Sequence, residues 1–119
     1  DTFQALENHA FADPFARPGL ADLTAHVDFE ALARAAHPLA ASRLTPQGAL
    51  LQALGIEARA ARLAQGMSPE ARQRHLAALR RLTDGDEMGT LFKALALVPS
   101  GAPMPPGFTP APALVEAAR

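Results

Sequence analysis

The sequence lacks cysteine, tryptophan and tyrosine, and carries a single lysine, Lys93, against ten arginines. Without cysteine there are no disulfides and no thiolate metal sites. The formal net charge is −1, so the excess of positive charge that a nucleic-acid surface needs is missing. No apolar run approaches the roughly 18 residues of a membrane span. No signal-peptide pattern is present. The four histidines fall at 9, 26, 37 and 75, none paired at ligand spacing with acids, so no metal site is expected. Asp84, Asp86 and Glu87 lack the alternation and terminal glutamate of a calcium loop. No glycine-rich phosphate loop follows a first strand.

What is present is a globular composition, 49% hydrophobic and 19% charged over 119 residues. That length allows one domain with a modest core. The chain opens on Asp1 rather than methionine, which suggests a fragment or a processed product.

Residues 2–7 alternate weakly and predict a short strand. Residues 9–20 hold Pro14, Pro18 and Gly19 and predict a loop, with Phe11 and Phe15 pinning it to a neighbouring surface. Leu23, Ala25 and Val27 alternate with Thr24 and His26, so 23–27 is expected to be extended. Asp28 is placed as the N-cap of a helix whose apolar stripe is Phe29, Leu32, Ala33 and Ala36. His37-Pro38 ends it. Residues 40–45 are compatible with a short strand closed by Pro46.

Residues 47–65 are helix-rich, with Gly55 the point at which two helices meet and Gly66 the stop. Ser68-Pro69-Glu70 is a helix start: hydroxyl cap, proline in the first turn, then an acid. Leu76, Leu79 and Leu82 give that helix its buried edge, and Arg72, Arg74, Arg80 and Arg81 its solvated face. Residues 91–98 are apolar except for Lys93, which suits a buried strand. The tail from Pro99 contains six of the eleven prolines and reads as an extended strap or a disordered segment. The organisation expected is therefore 1–98 as folded body and 99–119 as a Pro-rich tail. Strands separated by helices point to an α/β layer architecture, with too few strands to complete a sheet.

The stretch Asp22 to Phe29 concentrates the chemistry. On a continuous strand His26 and Asp28 would share a face, and a histidine held by a carboxylate can serve as a general base or orient an amine. The competing reading spends Asp28 on the cap. Asp22 and Thr24 are candidate substrate contacts, or simply the close of a turn. Gln47-Gly48 would let a backbone approach a ligand, although a helix start explains it equally. Lys93 reads as an edge residue reaching water.

Five segments in order carry a resemblance: Asp1-Thr2-Phe3-Gln4-Ala5; Asp22 to Phe29; Gln47-Gly48-Ala49-Leu50 through Leu54-Gly55-Ile56-Glu57; Arg81-Leu82-Thr83 with Met88-Gly89-Thr90-Leu91-Phe92-Lys93; and Pro105-Pro106-Gly107-Phe108. In these the chain resembles the C-terminal part of the MidA-type class I S-adenosylmethionine-dependent methyltransferases. That family includes the protein arginine methyltransferase of mitochondrial complex I assembly.

The resemblance implies an α/β fold, the C-terminal portion of a Rossmann-like methyltransferase. Its last two strands, 40–46 and 91–98, would end as an antiparallel edge pair. It implies that S-adenosyl-L-methionine is bound mainly by an N-terminal half upstream of this chain. It further implies a protein substrate and a role in complex I assembly or function. The location would be cytoplasmic in a bacterium or the mitochondrial matrix in a eukaryote. His26 and Asp28 become catalytic candidates, and Asp22 and Thr24 substrate-binding ones, since carboxylates orient a guanidinium through paired hydrogen bonds. A half-sheet standing alone is expected to form homo-oligomers or exchange strands. The alternative function is a non-catalytic helical interaction module, docking through Leu50/Leu54 and Leu76/Leu79.

Overall fold

The computed structural model describes residues 2–112; Asp1 and the last seven residues of the Pro-rich tail lie outside them. The chain divides into two compact units, Asp1–Ala31 and Leu32–Arg119.

In the first unit, β1 (Gln4–Glu7) is the centre of a three-stranded antiparallel sheet, between β2 (Ala10–Ala12) and β3 (Asp22–Thr24). The loop expected over 9–20 is thus corrected at its start, where β2 returns along β1. Asn8 and His9 make the two-residue turn, with φ of 50° and 64°. Such turns need left-handed backbone at both positions, which asparagine tolerates better than most residues. The familiar Asn-Gly pair is absent, so the hairpin carried no strong signal. Cross-strand partners Ala12, Ala5 and Leu23 share one face of the sheet, and Ala5 is 1% exposed. Past β2, Asp13 Oδ1 accepts the Phe15 amide at 2.9 Å, and an Arg17–Glu7 ion pair ties the loop back to β1. Phe15 packs on Phe3 with ring centroids 5.9 Å apart, although both Phe11 and Phe15 stay more than three-quarters exposed.

Helix α1 (Phe29–Ala35) carries the chain into the second unit. There β4 (Ala40–Ala41), β5 (Thr45–Pro46), β6 (Lys93–Ala94) and β7 (Leu97–Val98) form two short antiparallel pairs, β4 with β7 and β5 with β6. Between the pairs the register shifts by one residue: Ala41 faces Leu97, whereas Thr45 faces Ala94. Ser42, 3% exposed, fills the break. Its Oγ accepts the Ala96 amide at 3.0 Å and donates to the Arg43 carbonyl at 2.8 Å. The expectation of one buried strand over 91–98 is corrected. Met88–Leu91 is a helical turn, α5, and Lys93 Nζ donates to the carbonyls of Thr90 and Leu91 at its C-terminal end. Cations are favoured at that end, and an apolar run alone does not distinguish helix from strand.

The helices follow their punctuation. Gly55, at φ 81°, separates α2 (Gln47–Ala53) from α3 (Ile56–Leu63). Ser68 caps α4 (Pro69–Thr83), its Oγ accepting the Ala71 amide at 3.3 Å. α2, α4 and α5 meet backbone to backbone. Gly48 and Gly89 are buried, and a Cβ on Gly89 would lie 2.5 Å from the Asp84 carbonyl oxygen and nearer still to that of Thr83. Gln47 Nε2 donates to the Leu82 carbonyl at 3.0 Å across the same junction.

The tail, as far as residue 112, is a strap. Arg43 N donates to the Thr109 carbonyl at 2.8 Å, and Ala111 N to that of Ala41 at 3.1 Å. Gly107 turns against Leu50, where a Cβ would meet the Leu50 Cδ1 at 2.5 Å. The described architecture is mixed α and β with small antiparallel sheets, and no strand pair among the described residues is parallel.

Candidate functional site

Asp22, Thr24, His26 and Asp28 all lie in the first unit. β3 places the first two. Asp22 faces Leu6 and Thr24 faces Gln4, so the two side chains share one face of the sheet and Leu23 takes the other. The strand ends at Thr24. The shared strand face on which His26 and Asp28 were expected to meet is therefore not formed. Beyond Thr24 the His26 amide donates to the side chain rather than the backbone of Thr2, to Oγ1 at 3.3 Å. Thr2, which nothing in the sequence singled out, is what holds this turn.

Asp28 is the N-cap of α1, as its position predicted. Its Oδ1 accepts the Ala31 amide at 2.9 Å, satisfying a donor that the helix leaves open. Capping engages one carboxylate oxygen. All four residues are exposed.

The electrostatics of this unit are one-sided. Six carboxylates, Asp1, Glu7, Asp13, Asp22, Asp28 and Glu30, stand against one arginine, Arg17, which pairs with Glu7. The near-neutral whole thus conceals an acidic first unit and a basic second one. A sheet face carrying Asp22 in such surroundings suits a cationic group.

Gly48 and Gly89 do not form a cofactor cradle. The two glycines with closely approached backbone, Gly48 and Gly89, face the chain's own Thr83 carbonyl rather than open space. The close approach expected at Gln47-Gly48 is real, and its occupant is α4. Among the described residues no group of three or more acids and histidines is placed to hold a metal ion. No helix of the described residues is long and apolar enough to cross a membrane.

Residues 1–48 match a family described as putative S-adenosyl-L-methionine-dependent methyltransferases. The chain is 38% identical over 102 residues to the mitochondrial protein arginine methyltransferase NDUFAF7 homologue of Drosophila melanogaster. The human protein arginine methyltransferase NDUFAF7 is likewise 38% identical over 102 residues. The chain is homologous to part of a MidA-type methyltransferase.

In both alignments 83% of this chain is matched, but it spans only 23% of the relative's length. A solved structure of a likely methyl transferase from Burkholderia thailandensis, bound to S-adenosyl-homocysteine, superposes with a TM-score of 0.66 at 32% identity. That match covers 82% of this chain and 26% of the other. A native crystal structure from the same organism gives a TM-score of 0.67. Gly48 and Gly89 have a structural role in the α2–α4–α5 junction.

Proposed function

We propose that this chain is the C-terminal segment of an S-adenosyl-L-methionine-dependent methyltransferase whose substrate is a protein arginine, linked to respiratory complex I assembly or function. The observation that carries the proposal is the 38% identity, over 83% of the chain, to relatives named protein arginine methyltransferase. In this reading the two short ribbons of 40–46 and 93–98 are the edge of a Rossmann-like sheet completed by the rest of the parent. Residues 1–98 belong to the catalytic domain, and 99–119 form its closing tail. The cofactor is held by the N-terminal half of the same enzyme. That enzyme works in the mitochondrial matrix of a eukaryote, or the cytoplasm of a bacterium.

This segment's contribution is to position the substrate. A guanidinium must present one nitrogen in line with the methyl group it receives, so orientation carries much of the rate. Asp22 can accept two parallel N–H bonds from such a group, with Thr24 beside it on the same face. His26 stands two residues beyond, and an imidazole can take the proton that the nitrogen must release. Asp28 keeps Oδ1 on the helix cap, with its charge two residues from that imidazole.

The test is a pair of substitutions in the full-length parent. Asp28→Asn keeps an oxygen for the Ala31 amide and removes the charge; His26→Gln removes the base. Loss of kcat by about a hundredfold for His26→Gln, with a smaller loss for Asp28→Asn, is expected of a general base and its orienting partner. Unchanged kcat in both variants would restrict Asp28 to the cap and remove His26 from the chemistry.

A further inference from the structure

The surface between α3 and α4 lies apart from the methyl-transfer reading and does not depend on it. Ala60 on α3 and Ala78 on α4 both line a groove of ≈ 210 Å³ there. Ile56 and Leu63 on α3, with Leu79 and Leu82 on α4, make its apolar walls. The floor is fixed by His75, whose Nε2 lies 3.0 Å from the Ala60 carbonyl oxygen across the two helices. An apolar space of about 150 Å³ holds one benzene ring, whereas small-molecule pockets run to roughly 300–1,000 Å³. The groove therefore suits one large apolar side chain, an anchor rather than a whole ligand.

The charge around it is of one sign. Arg59 stands on the wall and Arg62 is one helical turn along α3. Arg74 and Arg81 flank Ala78 at i−4 and i+3 on α4. From Ile56 to Thr83 the sequence holds six arginines against Glu57 and Glu70, although the whole chain is net −1. Arg59, Arg62, Arg74 and Arg81 make no ion pair among the described residues. Four exposed guanidinium groups around an apolar notch, without carboxylates of their own, leave their complement to be supplied from outside.

We infer that the α3–α4 groove is a docking site for an acidic amphipathic helix of a partner protein. One leucine-sized anchor enters between Ala60 and Ala78, and flanking glutamates meet Arg59, Arg62, Arg74 and Arg81. This is the helix-in-groove mode, with apolar anchors giving affinity and rim charges giving orientation and rate.

The test titrates the full-length parent with two short designed helical peptides, one with leucine anchors at i, i+4 and i+7 flanked by glutamate, the other flanked by lysine. The glutamate peptide is expected to bind at low salt and to weaken as salt rises. Binding should fall about tenfold or more in Ala78→Glu and in the Arg59→Glu/Arg62→Glu pair. Both changes sit on exposed helix positions, and unaltered helical circular dichroism separates lost docking from lost folding. Equal binding of the lysine peptide, or no effect of Ala78→Glu, would overturn the inference. So would preferential binding to phosphatidylserine vesicles. Dimerisation abolished by Ala78→Glu in sedimentation would do so as well, since the occupant would then be a second copy.

Discussion

Gly89→Ala puts the packing account under the heaviest load. The new Cβ would stand 2.5 Å from the Asp84 carbonyl oxygen and 2.6 Å from the Thr83 carbonyl carbon. Ordinary contact begins near 3.4 Å and the Thr83 carbonyl oxygen is nearer still, so backbone must give by more than about 0.9 Å. Neither neighbour is a flexible side chain tip. The Asp84 carbonyl accepts the Gly89 amide at 2.9 Å and the Glu87 amide at 3.1 Å, so retreat strains both bonds. Overpacking of this kind costs about 3 kcal/mol, the upper part of its usual range. For a unit of this size that lowers Tm by roughly 15 °C. The control is Gly85→Ala in the same turn, where a Cβ meets only the Thr90 Cγ2 at 3.7 Å and the stability change should stay within about 0.5 kcal/mol. Thermal unfolding followed by circular dichroism at the helical band reads both. If the two variants melt together, the close α2–α4–α5 junction is wrong.

Other substitutions test the remaining joints. Ser42→Ala leaves the Ala96 amide without its partner at a buried site and should cost about 1–3 kcal/mol in chemical denaturation; a loss below a few tenths would show that Ser42 does not bridge the register shift. Ser68→Ala removes the α4 cap and should destabilise by about 1 kcal/mol, with Ser68→Asp restoring most of it. Glu70, in the first turn of α4, has its pKa lowered by its own backbone amide and then by the Ser68 hydroxyl. A carboxyl depressed in the folded state stabilises above its unfolded pKa, and the contribution is lost as pH falls through the folded value. Tm of wild type should therefore drop more steeply than that of Glu70→Gln as pH falls through the carboxylate range, and parallel curves would contradict this.

Punctuation was the legible part of the sequence. Gly55 split two helices, Ser68-Pro69-Glu70 opened α4, and Asp28 capped α1, because each acts through its own backbone neighbours. What escaped was set at a distance. The β1–β2 hairpin turns on Asn8-His9, a pair with little turn signature. The run 91–98 is apolar but for Lys93, yet its pairing is fixed by Ser42, far off in sequence, and by Lys93 closing α5. At the candidate site, β3 sets Asp22 and Thr24 on one face, although the extended stretch expected there began only at Leu23. His26 and Asp28 do not share it, since the strand ends at Thr24. The division of charge between the two units was also hidden, because the net value cancels it.

The central claim is that this chain belongs to a methyltransferase whose cofactor site lies in the rest of the parent. Calorimetric titration of S-adenosyl-L-methionine into the 119-residue chain and into the full-length parent tests it most directly. The account predicts saturable binding to the parent and none to this chain. Binding to the chain alone would contradict the location of the cofactor site, and no binding to the parent would contradict the methyltransferase reading itself.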